Sequence, residues 1–454
     1  MAKTNRRDFI KTAAYAGGLT TLLAHTGCKS IEGNEQGPQA SMAGFRAEPL
    51  DRIRVGIIGI GSRGSGCVRR LSAIDSVDIK ALCDVLPERV AREAKFLVDQ
   101  GKPAPASYSG SEEIWRKLCE SKDLDVVYIV TPWTLHAPMA LWAMECGKHA
   151  MVEVPAAMTI DDCWRLVRKA EATRRHCMIL ENCCYGFNEM LALNLCRQGM
   201  LGDLVHAEAG YIHYSDQLLA ADPTGRAAWR HEYYRQHTGN AYPTHGLGPV
   251  CQYLSINRGD KMDALTSMSS GSFARNDALI EKYGAASPQA KRRFKMGDIN
   301  TSIIRTRRGR TIMLQFNTVN PRPYTRINLI SGSKGILADY PLRVALEPKV
   351  DDWMNEQQLE ELKTKYAHPM WQKHKALAEK MGGHGGMDFM MDLRVCHCLQ
   401  NGLPLDIDVY DTASWSSIVE LSERSVLQGG SAVEVPDFTR GGWEGTPPLG
   451  IVTI

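Results

Sequence analysis

No stretch of this 454-residue chain is long and apolar enough to cross a bilayer as a stable helix. Net charge is also scarce. The 54 lysines and arginines nearly balance the 51 aspartates and glutamates, leaving +3. That gives no electrostatic footprint for nucleic acid or another polyanion. There are no internal repeats, which excludes solenoids and propellers. No CxxC pair recurs and no histidine array stands at ligand spacing. No metal is therefore expected, and Cys183-Cys184, Cys396 and Cys398 read as buried thiols. What is present is ordinary globular material, 44% hydrophobic and long enough for two domains.

The N-terminus is a targeting segment rather than part of the fold. Arg6-Arg7-Asp8-Phe9-Ile10-Lys11 is a twin-arginine pattern, followed by a mildly apolar stretch from Thr12 to Ala24. Cys28 follows Gly27 as a lipidated cysteine would, although His25 stands where a lipobox usually has leucine. Residues 1–28 are expected to be a signal, and 29–52 a linker, flexible from Lys29 to Pro49. Twin-arginine export carries folded proteins. The expected location is periplasmic, or on the membrane through Cys28. Folding before export also explains thirteen cysteines without a disulfide framework.

The most telling motif is Val55-Gly56-Ile57-Ile58-Gly59-Ile60-Gly61-Ser62-Arg63-Gly64. An apolar, β-branched run leads into Gly-x-Gly-x-x-Gly and then into a helix-compatible segment. Gly59 suits the tight turn. Gly61 lets the backbone approach a pyrophosphate, and Gly64 permits helix–strand packing. Asp84 ends the next strand, placed to accept from ribose hydroxyls and to repel a 2′-phosphate. The cofactor expected is NAD.

Strand and helix patterns alternate from Ile53 to Leu180, which predicts a parallel sheet covered on both faces. Helices are expected after Asp84, near Ser111–Cys119, over Ala137–Cys146 and over Thr159–Thr173. Asp84, Trp133 to His136, Glu153, Val154 and Asn182 fall at the carboxyl ends of strands, where ligands sit. Beyond Gly202 long alternating strands appear, including Val205–Tyr211, Ser302–Thr306 and Thr311–Phe316. They predict an α+β domain with a large, mostly antiparallel open sheet. Arg307-Arg308-Gly309-Arg310 reads as a solvated hairpin turn. Helices are expected near Asn355–Tyr366, Trp371–Lys380 and Met387–Asn401. The boundaries are 53–182 for the dinucleotide-binding domain and 183–454 for the substrate domain.

On these residues the mature chain resembles the Gfo/Idh/MocA oxidoreductases. The shared features are the glycine motif, Thr131-Pro132 with His136, Glu153-x-Pro155 and His245. More narrowly it resembles glycoside hydrolase family 109, the NAD-dependent α-N-acetylgalactosaminidases. That family carries Glu153-Val154-Pro155-Ala156, Glu181-Asn182, Tyr242-Pro243-Thr244-His245-Gly246 and His384-Gly385-Gly386-Met387-Asp388-Phe389. Typical dehydrogenases of the wider group have lysine at Val154 and aspartate at Gly248. Both departures favour the glycosidase subfamily.

The resemblance implies hydrolysis by oxidation and elimination, an exception to two-carboxylate glycosidases. The sugar gives a C3 hydride to NAD+, loses its C2 proton and expels the aglycone. Water then adds, and C3 is reduced again without net redox. The resemblance implies that Ser62, Arg63, Asp84, Trp133, Thr134, Leu135, His136, Glu153, Val154 and Asn182 hold NAD with the glycines. It places Tyr211, Arg230, Tyr242, Pro243, Thr244, His245 and Tyr324 toward the sugar. Tyrosine offers a ring face and a hydroxyl, and arginine offers planar donors. Imidazole titrates near neutrality, which makes His245 the leading proton-transfer group with Tyr242 as partner. Which of the two deprotonates C2 stays open. His384 is a secondary candidate for the site, for a partner subunit, or for capping its helix with Asp388. The alternatives are a periplasmic oxidoreductase forming a 3-keto sugar and a non-catalytic sugar-binding lipoprotein. A homo-oligomer is also implied, most simply a dimer through an exposed sheet face.

Overall fold

The structure, a computed structural model, describes residues 40–214 and 228–454. The signal, Cys28 and the first part of the linker lie outside the described residues. Ala40–Ile454 forms one compact unit.

The first sheet runs β3-β2-β1-β4-β5-β6, all parallel. Its strands are β1 (Ile53–Ile58), β2 (Val77–Asp84), β3 (Ala106–Ser109), β4 (Val126–Ile129), β5 (His149–Val152) and β6 (Cys177–Ile179). Every residue of β4, β5 and β6 is buried. That is the state of strands covered on both faces, and it explains why His149 is the one ionisable group besides Tyr128 and Cys177 in them. One expected helix is shorter than its pattern: only Trp115–Glu120 is helical before β4.

The second sheet runs β13-β12-β11-β7-β10-β9-β8-β14. Its members are β7 (Leu204–Ile212), β8 (Met262–Ser269), β9 (Ile299–Thr306), β10 (Thr311–Asn317), β11 (Leu329–Gly332), β12 (Gly335–Ala338), β13 (Arg343–Leu346) and β14 (Val433–Glu434). Burial alternates along β9 and β10, so one face packs and the other does not. The sheet is antiparallel except where β7 pairs with β10. A parallel pair needs a long crossover, which the chain between Ile212 and Thr311 supplies. The Arg307–Arg310 turn is not simply solvated. Arg308 N–H donates to buried Asp260 at 3.0 Å, and Arg310 Nη1 donates to the Leu254 carbonyl at 2.9 Å.

A third feature joins the halves. The helix Val409–Leu427 is buried nearly all round and starts at an Asp408 capping box. Its hydroxyls accept from both domains. Thr412 takes the Ile179 N–H at 3.0 Å, Ser416 the Ala156 N–H at 3.2 Å, and Ser425 the Ser267 N–H at 2.8 Å. Buried serines hide this helix from an amphipathic reading, yet they are what fastens the two sheets to it. The linker expectation also needs correcting. Met42 is buried and its N–H donates to Tyr410 Oη at 3.0 Å, while Phe45 packs 4.8 Å from His176. Leu50 N–H donates to the Leu399 carbonyl. These apolar residues are too few to make a periodic pattern, but each finds its own seat.

Candidate active site

The chain leaves β1 through Gly59, at φ +92°. A Cβ there would lie 2.3 Å from the Val130 carbonyl oxygen, and one on Gly64 would lie 1.9 Å from the Gly59 oxygen. Both approaches require glycine. Gly61 is different. A Cβ there meets nothing nearer than Arg89 Nη1, at 4.0 Å. It is the N-cap of the helix Ser62–Ser72, which has no side-chain cap and no acid in its first turn. Exposed Ser62 begins that helix. Uncapped N–H groups and the positive end of the helix dipole suit a pyrophosphate.

Asp84 is buried, and its two oxygens accept from Ile60 N–H at 2.7 Å and Leu86 N–H at 3.0 Å. The carboxylate therefore braces the glycine turn. Arg89 Nη1 stands 3.4 Å from both oxygens. Repulsion of a 2′-phosphate by Asp84 is thus offset by a neighbouring guanidinium, which corrects the sequence argument.

Arg63 is tied into a network rather than left free. Its Nε donates to Glu153 Oε1 and its Nη1 to Asp388 Oδ2, both at 2.5 Å. Asn182 Nδ2 donates to the other Asp388 oxygen at 2.5 Å, and His384 Nδ1 lies 3.0 Å from Oδ2. Burial alone would raise the Asp388 carboxyl. The His384 bond and the charges of Arg63 and Arg70 outweigh burial and hold it well below the usual range. His384 does not cap the helix Met387–Asn401, which has no side-chain cap. It sits at the rim of this network, and its side chain is 61% exposed.

His136 is buried with both ring nitrogens occupied. Nδ1 lies 2.7 Å from the Pro155 carbonyl and Nε2 2.7 Å from the Thr131 carbonyl. It clasps the loops that follow β4 and β5. Val154 is 2% exposed within the main core. Thr134 and Leu135 are exposed on the short turn Trp133–Leu135.

Trp133 leads to the other side of the site. Its ring lies 4.8 Å from Trp229, 5.5 Å from Tyr233 and 5.6 Å from Tyr242. The Arg230 guanidinium, on the helix Ala228–Gln236, lies over the rings of Trp133 and Tyr242 at 4.9 and 5.7 Å. Tyr242 is 4.8 Å from Tyr211 and 4.9 Å from His245. Tyr324 stands 6.5 Å beyond Tyr211 and accepts from Arg326 at 2.8 Å. Pro243 is the N-cap of the helix Thr244–Tyr253, and Thr244 is wholly buried. Neither belongs to the ring cluster. The helix can sit this low because Gly246 rests on β7: a Cβ there would lie 2.3 Å from Gly210 N.

His245 has a partner that sequence reasoning missed. Its Nδ1 lies 2.7 Å from Oε1 of Glu181, a fully buried residue at the end of β6. Burial alone would raise the Glu181 carboxyl. The charge and hydrogen bond of His245 outweigh it and hold the carboxyl below the usual range. The same Oε1 accepts from Cys183 N–H at 3.1 Å. A signal existed: an acid directly after the apolar strand Met178-Ile179-Leu180 must find a partner if buried. Glu181, Cys183 and His245 lie close enough to invite a metal reading. The first two, however, are engaged by hydrogen bonds or by burial, which pushes the Cys183 thiol well up. The twelve cysteines among the described residues are free, ten of them buried.

Residues 185–445 match the family model "Glycosyl hydrolase 109, C-terminal domain". The chain belongs to glycoside hydrolase family 109. Residues 53–181 match the oxidoreductase family with an NAD-binding Rossmann fold. A family 109 protein of Shewanella pealeana is 45% identical over 454 residues, covering 99% of each chain. A Bacteroides fragilis protein named alpha-N-acetylgalactosaminidase is 44% identical over 410 residues, covering 89% of this chain and 96% of its own. Levoglucosan dehydrogenase, solved with NADH and levoglucosan, shares the fold at a TM-score of 0.64 and 19% identity, over 85% of this chain and 100% of that one. The family 109 chain is thus an NAD-binding enzyme, and the open cradle at Gly61 fits that cofactor. Among its described residues no helix is long and apolar enough to cross a membrane.

Proposed function

We propose that this family 109 enzyme hydrolyses terminal α-linked N-acetylgalactosamine with NAD retained and no net redox change. The observation that carries the reading is the Glu181–His245 pair set against Tyr242, with buried Val154 where a dehydrogenase would have a lysine. The name of the Bacteroides fragilis relative supports the sugar.

Gly61, Ser62, Arg63, Asp84, Trp133 and Glu153 would hold NAD. Bound there, NAD supplies a reversible hydride acceptor for C3 of the sugar, which acidifies the C2 hydrogen. Glu181 orients His245 so that Nε2 takes that proton; among the described residues none bonds Nε2. Tyr242 stays a phenol, because burial holds it well above the usual tyrosine range. It donates a hydrogen bond to a substrate oxygen and is the poorer base of the two. Arg230 offers donors to the acetamido carbonyl or to the developing enolate oxygen. The rings of Trp133, Trp229 and Tyr233 keep water from this side. The reading includes export as a folded, NAD-loaded protein to the periplasm, lipid attachment at Cys28, and a homo-oligomer.

The test is turnover of an aryl α-N-acetylgalactosaminide in D2O, following aglycone release and deuterium at C2 of the product together. Release with deuterium at C2 supports the elimination route. NADH accumulating without release would replace it with a sugar oxidoreductase.

A further inference from the structure

Gly248 lies one helical turn beyond His245, on the same face of the helix Thr244–Tyr253. A carboxylate side chain there is the local way to orient the imidazole. The space is already taken. A Cβ on Gly248 would come 2.8 Å from Glu181 Cγ, 3.1 Å from Cys184 Sγ and 3.2 Å from Trp415 Cζ3. Glu181 reaches the same imidazole nitrogen from the end of β6, in the other domain.

We propose that Glu181 is the positioning residue for His245, supplying from the cofactor domain the carboxylate that the His245 helix lacks, and that Gly248 is glycine to make room for it. This rests on the reading of His245 as the proton-transfer group. The Glu181 oxygen that meets His245 also accepts from the Cys183 backbone N–H, which can only donate. That oxygen is an acceptor, so Nδ1 carries the hydrogen and Nε2 is the nitrogen that Glu181 leaves free. The base is therefore assembled only when the two domains are docked. The helix Val409–Leu427 holds that docking, and its Trp415 closes the wall behind Gly248.

The titratable and charged groups around His245 come from every neighbouring element. They are Glu181 and Cys183 after β6, Tyr211 and His213 at the end of β7, Tyr242 before its own helix, and Arg230. Of these, Glu181 is the one bonded to the ring.

The experiment uses the full NAD-loaded enzyme with 15N-labelled histidine. The His245→Ala spectrum assigns the ring. In the parent's neutral ring, Nδ1 should carry the hydrogen and Nε2 the lone pair. Glu181→Gln keeps an acceptor oxygen at the Cys183 N–H and removes only the charge. The acid limb of kcat/KM should then move to lower pH, because the negative charge beside the base is gone. With the aryl substrate, kcat should drop about 100-fold while KM stays within about threefold. A purely structural glutamate would lower stability and leave the limb in place. An unmoved limb, or a parent ring with its hydrogen on Nε2, overturns the proposal. Relocation tests the part about Gly248. Glu181→Ala with Gly248→Asp should recover about tenfold or more of what Glu181→Ala loses, and recovery below about threefold overturns that part. The spectra read the pair whether or not this sugar is the substrate, so failure of the pair and failure of the substrate are separate results.

Discussion

The two sides of the cleft treat charge in opposite ways. On the cofactor side, polar groups are bonded to one another. Asp388 alone accepts from Arg63, Asn182 and His384, and Asp84 is held by two backbone N–H groups. On the sugar side, an imidazole, phenols and a guanidinium stand against a wall of rings, and one carboxylate orients the imidazole. The first arrangement grips and cannot easily move. The second leaves polar groups among rings rather than bonded to one another. On the proposed function, a cofactor retained through every turnover calls for the first, and proton transfer to a sugar calls for the second.

That contrast sets where mutations should act. The largest effect belongs to the sugar side. His245→Ala should lower kcat about 1,000-fold or more and abolish deuterium exchange at C2 while NAD stays bound. Loss of NAD on gel filtration would erase the distinction between the sides. Asp388→Ala should do the reverse. Removing one partner of a buried ionic network costs about 3–5 kcal/mol. The variant should melt earlier and lose NAD on gel filtration, while the remaining NAD-loaded fraction still exchanges C2. A fully retained cofactor would show that Asp388 is no part of the grip.

A third effect sharpens the cofactor side alone. Burial first, then the Arg174 and Arg175 charges, push His176 down to about 4. Burial, then His176 and Arg175, push its neighbour His149 well down too. Both are neutral in the fold, so below pH ~6.5 the unfolded chain takes up protons that the native state refuses. This stability is complete above that pH and is lost as pH falls toward 4. His176 alone accounts for about 3 kcal/mol. His176→Gln should flatten the fall of melting temperature between pH 7 and 5, and an unchanged slope would remove His176 from the account. The smallest effect is Arg89→Ala. Its partly exposed contact with Asp84 is worth under about 1 kcal/mol. Its loss should leave NAD binding within about threefold and weaken any NADP binding further, as titration of each nucleotide would read.

How much could be read beforehand follows the same division. The glycine turn, Asp84 and the strand-end positions obey local rules, because a nucleotide-binding loop is built from neighbouring residues. The sugar-side tyrosines and His245 were named through family resemblance, not through any spacing of their own. Glu181 was named only within the family stretch Glu181-Asn182 and given no role, because its partner lies 64 residues away along the chain. His136 was expected to hold NAD and Thr244 to face the sugar, yet the fold makes one a clasp between loops and buries the other. The helix Val409–Leu427 was missed because amphipathic periodicity marks only helices with a wet face, and this one has almost none.

The sequence by itself determined the parallel sheet, the glycine cradle and the cofactor. Those depend on apolar runs and on residues that lack a Cβ, and both are visible one position at a time. It also set the limits: no lysine at Val154 and no carboxylate at Gly248. Only the tertiary structure decided which acid serves His245 and that Arg63 is fastened to Asp388. Each of these depends on side chains brought within about 3 Å by packing between elements far apart in the chain, and no local pattern encodes that distance.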